Sequence, residues 1–177
     1  MQVTRTPLLR RWAKKPVLVY PIPPAPPTAI LLDAFRPSGN TRVFEDGWNA
    51  DAAQFAPAAI AATPAQLDAL RALPIPSLRN ALIALVLPGE SRLSEEDRAR
   101  LWVAFRVPVF EQRIDKSGRL LAAECEAHDG LHIESSGASP REGEIVETAT
   151  CGCGRSTPRL VAPARVENLR RIAAYAR

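Results

Sequence analysis

The residues best suited to bind a metal are concentrated in two short runs of this 177-residue chain. Glu124–His132 contains one of the three cysteines and both histidines, and Cys151-Gly-Cys153 contains the other two cysteines. Thiolates and imidazoles are the ligands that zinc prefers, and a structural zinc site usually takes them as two pairs from two chain segments. Because three cysteines cannot all pair, the pattern favours a metal site in a reducing compartment over a disulfide framework.

Three of the four expected ligands follow directly from this arrangement. Cys151 and Cys153 are followed by Gly154, and this order predicts a tight turn in which two thiolates approach one ion. Cys125 is the third cysteine and therefore the third predicted ligand. We predict that these cysteines bind Zn²⁺.

The fourth ligand must be a histidine, and the sequence offers two. The turn at residues 128–130 can bring His132 back over Cys125, which makes His132 the preferred ligand and His128 its competitor. Four protein ligands leave the ion no open position, so the predicted site is structural rather than catalytic. Arg155 and Arg159 follow closely in sequence and would offset the negative charge of three thiolates.

The rest of the chain predicts an α/β fold, a three-layer sheet with flanking helices. Ala81–Leu87 is a continuous apolar run, typical of a parallel strand covered on both faces. A capping box at Ser94 predicts a helix through about Phe105, with Trp102 and Phe105 on its inner side. Val107–Phe110 is the next predicted strand, which completes a βαβ unit.

Several shorter elements complete this prediction. A second capping box predicts a helix that begins after Thr63 and stops before Pro74. A strand is expected at Ala29–Phe35, followed by a hairpin-type turn into a second strand. The remaining predicted elements are a return strand at Arg42–Phe44, a turn at Asp115–Gly118, strands at Leu120–Glu126 and Glu144–Thr148, and a last helix from Pro163.

Charge and composition suggest two regions. Residues 1–28 are a basic arm followed by a proline-rich extended segment, and residues 29–177 are predicted to form one domain with the zinc site at residues 125–153. Net charge is +5 in residues 1–32, +5 in residues 155–177 and therefore −6 in between. The sequence has no apolar run long enough to span a membrane and no secretory-type leader, so we expect a cytoplasmic protein.

The two metal-binding runs also resemble a known enzyme family. Glu124-Cys-x-x-x-Asp-Gly-Leu-His132 and Cys151-Gly-Cys-Gly-Arg resemble motifs of the phenylacetate–coenzyme A ligase branch of the adenylate-forming enzymes, including proteins similar to coenzyme F390 synthetase. The resemblance extends more loosely over residues 63–160. It implies a zinc site made by Cys125, His132, Cys151 and Cys153, and it favours His132 over His128.

Other family motifs are missing from this sequence. Where the family has Tyr-Gly-x-Ser/Thr-Glu, this chain has Glu111-Gln-Arg-Ile-Asp115. The phosphate-binding loop for ATP and the mobile domain with a catalytic lysine have no counterpart. Without these groups the positioning and charge stabilisation needed for adenylyl transfer cannot be assembled. The resemblance therefore implies a reduced, non-catalytic relative.

Three functions are compatible with these observations. The first is a non-catalytic zinc-binding protein with a scaffolding, regulatory or small-ligand role. The second is a reduced enzyme or accessory subunit of acyl-CoA or adenylate chemistry, with Glu90, Asp115 and Arg159 as its candidate residues. The third is a nucleic-acid-binding protein that uses its basic ends; it is disfavoured because its basic residues are not interleaved with aromatic ones. A half-sheet from a larger enzyme would expose an edge, which predicts a homodimer or a partner chain.

Overall fold

A computed structural model describes residues 15–76 and 78–162. This part of the chain contains three helices and one nine-stranded sheet. The helices are α1 (Ala50–Gln54), α2 (Pro64–Leu70) and α3 (Glu95–Phe105); the strands are β1 (Thr28–Ile30), β2 (Thr41–Val43), β3 (Ala59–Ala62), β4 (Ala81–Val86), β5 (Val109–Ile114), β6 (Leu120–Glu124), β7 (Leu131–Ile133), β8 (Ile145–Glu147) and β9 (Arg159–Val161). No helix among these residues combines the length and apolarity needed to cross a bilayer.

The sheet has a parallel half and an antiparallel half that meet at β5. Its strand order is β2-β1-β3-β4-β5-β6-β7-β9-β8. The first five strands in this order pair in parallel, and every pairing from β5 onward is antiparallel. The α/β class predicted from the sequence is therefore confirmed, and so is the βαβ unit formed by β4, α3 and β5.

Alternating strand residues divide the core between the two faces of the sheet. Leu82 and Ala84 of β4 pack on one face with Leu67 of α2 and Leu101 of α3. The neighbouring residues of β4 pack on the opposite face, which is covered by the chain before and after β1, including Leu18 and Phe35. The predicted three layers are thus present, but in the described part of the chain one outer layer is made of extended chain instead of helices.

The proline-rich segment is part of this second layer. Leu18 is buried against the sheet, and the Val19 carbonyl accepts a hydrogen bond of 2.7 Å from the Gln112 side chain on β5. The Pro16 carbonyl accepts a bond of 3.0 Å from the Arg36 amide. The predicted division of the chain at residue 28 remains a prediction, as do the basic arm and the last helix, which lie outside the described residues.

The two predicted capping boxes define where α2 and α3 begin. Thr63 and Ser94 each accept a hydrogen bond from the backbone three residues later, and the side chains of Gln66 and Asp97 return the contact. Arg106, in the left-handed conformation, ends α3. These contacts satisfy amides that the first turn of a helix leaves without partners, and they therefore fix where each helix begins.

Two local predictions were wrong. Trp102 is 49% exposed, whereas its neighbour Leu101 is the buried residue of α3. The predicted hairpin is absent because β2 runs parallel to β1 and not back along it. Between the two strands, Phe35 is buried on the second face of the sheet, and a tight turn at Ser38–Thr41 precedes β2.

Candidate metal centre

The four predicted ligands meet in the antiparallel half of the sheet. Cys125 directly follows β6, and His132 lies in the middle of β7. Cys151 and Cys153 belong to the loop between β8 and β9. Strand pairing places His132 opposite Ala123 on one side and Arg159 on the other, so the imidazole is fixed by a three-stranded ladder.

The turn between β6 and β7 folds back because two of its residues adopt positive φ. These residues are His128, at 49°, and Gly130, at 89°, and the His128 amide donates to the Cys125 carbonyl at 3.0 Å. A Cβ atom on Gly130 would lie 2.5 Å from a methyl group of Val161. Glycine is therefore needed both for the backbone conformation and for close contact with β9.

The second pair of ligands sits in a compact loop. The Cys151 carbonyl accepts from the Gly154 amide at 2.8 Å, and the Cys151 amide donates to the Arg155 carbonyl at 2.9 Å. Gly154 has a φ of 85°, which permits the reversal after Cys153. These bonds turn both thiol groups toward the β6–β7 turn.

The separations between ligand atoms suit a tetrahedral ion. Cys125 Sγ lies 3.6 Å from Cys151 Sγ, and Cys153 Sγ lies 3.5 Å from His132 Nε2. All four ligand atoms lie within 4.8 Å of one another. Tetrahedral zinc, with bonds of about 2.3 Å to sulfur and about 2.0 Å to nitrogen, requires separations of about 3.8 Å between sulfurs and about 3.6 Å between sulfur and nitrogen. These residues therefore fit a Zn²⁺ ion.

The surroundings of His132 suit a metal ligand. The side chain is fully buried, and Nδ1 lies 2.7 Å from Thr157 Oγ1. Burial lowers the pKa of His132, and the charge of Arg155 lowers it further. A neutral imidazole is the form that binds a metal, and a proton on Nδ1 leaves the Nε2 lone pair directed at the thiols.

The thiols differ in how readily they lose their protons. Burial raises the pKa of Cys125 to about 12. Burial also acts to raise the pKa of Cys153, but hydrogen bonds from the Arg155 backbone and from Cys151 and Cys125 outweigh it, so the net shift is downward. Because thiols bind metals as thiolates, a cation in the cluster must offset the cost of ionising Cys125.

His128, the competing histidine, lies outside this group. Its ring stacks on Phe110 with centroids 4.7 Å apart, and Nδ1 lies 3.5 Å from Glu124 Oε1. The structure thus brings together the four residues Cys125, His132, Cys151 and Cys153 and keeps His128 apart. Their occupation by zinc remains a prediction.

A buried ionic network beside the site was not foreseen from the sequence. Glu124 accepts from Arg98 at 3.0 Å and from the Glu111 amide at 2.8 Å, while Arg113 makes a two-point ion pair with Glu144. The side chains of Glu111, Glu124 and Glu144 are each 2% exposed. Burial raises the pKa of Glu111, and its Oε1 has no hydrogen-bond partner among the described residues.

A separate cavity of about 390 Å³ lies between the connections β3–α2 and β4–α3. Pro64, Glu90 and Arg100 contribute to its walls. Of the three residues considered for an enzyme, Glu90 lines this cavity and caps the Leu87 amide at 2.9 Å. Asp115 instead bonds Ser117 and Arg119 in the β5–β6 turn, and Arg159 belongs to the metal centre. The structure does not bring these three together.

Sequence comparison assigns no family to this chain. No protein-family model matches it, and no curated protein matches it in sequence. Similar solved structures include 2-hydroxyisobutyryl-CoA ligase in an open conformation with 2-HIB-AMP and CoA, at 16% identity and a TM-score of 0.47 over 68% of this chain and 38% of the ligase. The same ligase in the postadenylation state with R3-HIB-AMP is 14% identical, with a TM-score of 0.49 over 77% of this chain and 43% of the ligase. The chain thus spans about two fifths of the ligase, and TM-scores below 0.5 establish no shared family.

Proposed function

We propose that this chain is a non-catalytic zinc-binding α/β protein, in which the ion joins two hairpins at one end of the sheet. Its role would be scaffolding, regulation or binding of a small ligand, in the cytoplasm. The observation that carries the proposal is the Cys₃His group with tetrahedral ligand separations. Four protein ligands close the coordination shell, so the ion supplies stability instead of an open catalytic position.

The chemistry of β5 supports a non-catalytic role. The sequence motifs resemble those of the phenylacetate–coenzyme A ligase branch, and we propose a distant relationship to that branch. Where such ligases carry the adenylate-binding motif, this chain has the end of β5 and Asp115, which follows it, and their side chains make structural contacts. Gln112 holds the Val19 carbonyl, Arg113 pairs with Glu144, and Asp115 caps its own turn. None of these groups is free to hold a nucleotide.

Metal analysis tests the proposal directly. We expect one zinc per purified chain, and we expect chelation to lower the melting temperature. Cys151→Ser should abolish stoichiometric zinc, whereas Ser156→Ala, an exposed position in the same loop, should not. Purified wild-type protein without a bound metal, and with the same melting curve before and after chelator, would refute the proposed function.

We also propose that a second copy of the chain covers the sheet edge at β8. This strand pairs only with β9 among the described strands, and Ile145 and Val146 on it are 41% and 46% exposed. Edge strands with exposed apolar side chains invite pairing with another strand. Sedimentation of the wild type at tens of micromolar should show a dimer, and Val146→Lys should convert the dimer to a monomer. A wild-type monomer at that concentration would rule out the proposed dimer.

The cavity near Glu90 favours one alternative, a reduced acyl-CoA or adenylate enzyme. It lies at the carboxyl ends of β3 and β4, where open α/β sheets bind their ligands. Arg100 is 43% exposed at this cavity and pairs with Glu96 and Asp97 on α3, so an anionic ligand would have to replace these partners. A thermal shift with ATP or coenzyme A that is lost in Arg100→Met, but kept in Arg119→Met, would favour this alternative. The absence of any shift at millimolar ligand would exclude it.

A further inference from the structure

Two side chains, those of Thr157 and Arg159, tie the two ligand-bearing segments together without involving the metal. Thr157 Oγ1 lies 2.7 Å from His132 Nδ1. The Arg159 guanidinium donates to both the carboxylate and the carbonyl of Asp129 in the β6–β7 turn. The same guanidinium donates to the Ala149 carbonyl, at 3.3 Å, in the β8–β9 loop. The Thr157–His132 and Arg159–Asp129 contacts therefore cross from one pair of ligands to the other, and the Arg159–Ala149 contact holds Arg159 against the loop of the second pair.

Thr157 holds the ring of His132 in one orientation. If Nδ1–H donates to Thr157 Oγ1, the proton is fixed on Nδ1 and the lone pair on Nε2. Nε2 is the atom that lies 3.5 Å from Cys153 Sγ. The contact thus holds the ring in the orientation that directs Nε2 at the thiols, and the tautomer with its proton on Nδ1 is the one that binds a metal through Nε2.

Arg159 fixes the distance between the two loops. Arg159 is 3% exposed, and its guanidinium contacts both the β6–β7 turn and the β8–β9 loop. A lysine at this position would keep the charge but would lack the fork that binds several acceptors at once.

We propose that Thr157 and Arg159 are positioning residues of the metal centre, which hold the four ligand atoms near binding distance before the ion arrives. This inference rests on the proposed zinc-binding function. The metal then binds a folded site and loses little affinity to ordering of the two loops. Classical zinc fingers differ, because they are unfolded without their metal.

The test measures zinc affinity of the full chain by competition with a chromophoric chelator. We expect Thr157→Val to weaken zinc binding about 10- to 100-fold, as loss of an outer-shell partner does elsewhere. Thr157→Ser should restore the affinity, and Thr148→Val, an exposed position in the same loop, should leave it unchanged. Arg159→Lys should weaken binding to a similar extent, and Asp129→Asn provides a second variant if Arg159→Lys does not fold.

Two further readouts separate positioning from mere stability. The Co²⁺ absorption bands should shift in Thr157→Val, because the imidazole is no longer held in one orientation. Far-UV circular dichroism of the metal-free wild type should be native-like, whereas an unfolded metal-free chain would overturn the idea of a preformed site. Wild-type affinity in both Thr157→Val and Arg159→Lys would overturn the proposal while leaving zinc binding intact. Failure of the wild type to bind zinc would instead overturn the proposed function.

Discussion

The buried pair of Arg113 and Glu144 offers a sharp test of how the sheet is held together. Arg113 lies on β5, Glu144 precedes β8, and their side chains are 5% and 2% exposed. The guanidinium makes two parallel hydrogen bonds to the carboxylate. We expect Arg113→Met to destabilise the protein, because it leaves a buried carboxylate without its main partner.

The magnitude follows from the burial of both groups. Breaking a buried ion pair from one side costs about 3–5 kcal/mol, and for a chain of this size about 1 kcal/mol lowers the melting temperature by roughly 2–4 °C. Arg113→Met should therefore lower it by about 6–20 °C. The double variant Arg113→Met/Glu144→Met should lose less than Arg113→Met alone, because apolar side chains of similar volume replace both charges.

The assay is thermal unfolding of both variants beside a matched surface control. Arg119 forms an exposed ion pair with Asp115, with Arg119 73% exposed, so Arg119→Met should cost at most about 1 kcal/mol. If Arg113→Met and Arg119→Met have the same midpoint within error, or if the double variant is the least stable of all, the reasoning about burial is refuted.

Three further predictions concern single positions. Gly130→Ala should lower the free energy of unfolding, measured in urea, by about 2 kcal/mol or more, because the φ of Gly130 is 89° and the new Cβ would meet Val161. A loss below about 0.5 kcal/mol would contradict this prediction. Asp115, whose pKa is lowered to about 2 chiefly by its hydrogen bond with the Ser117 hydroxyl, contributes stability that is present above about pH 4 and lost as the pH falls toward 2. Asp115→Asn should therefore destabilise the protein at pH 6 and have little effect at pH 2, and an equal effect at both values would contradict the assignment. Leu101→Ala should cost about 2–5 kcal/mol and Trp102→Ala much less, because Leu101 is the buried residue of α3; the reverse order in thermal unfolding would contradict this.

The parts of the fold that the sequence predicts well are those governed by local chemistry. The capping boxes at Thr63 and Ser94 depend on residues three apart, and both are formed. The apolar run that becomes β4 is buried on both faces along its whole length. Cysteine and histidine are scarce in this chain, so their clustering also points to the residues that the fold brings together.

The parts that escape prediction depend on contacts distant in sequence. β7 and β9 contain three residues each and exist only because each pairs with neighbouring strands. Arg113 and Glu144 have the composition of surface residues, and only the packing of β5 against the chain before β8 buries them. Thr157 is equally ordinary in sequence, and only the fold places its hydroxyl beside His132.

The change from parallel to antiparallel pairing at β5 has a consequence for cooperativity. Arg98 belongs to α3 in the parallel half, whereas Glu124 belongs to β6 in the antiparallel half, and each buries its charge against the other. Separating the halves would leave the buried Glu124 carboxylate without Arg98, at a cost in free energy that opposes independent unfolding of either half. We therefore expect the hairpins around the candidate metal centre to unfold together with the parallel half in a single transition.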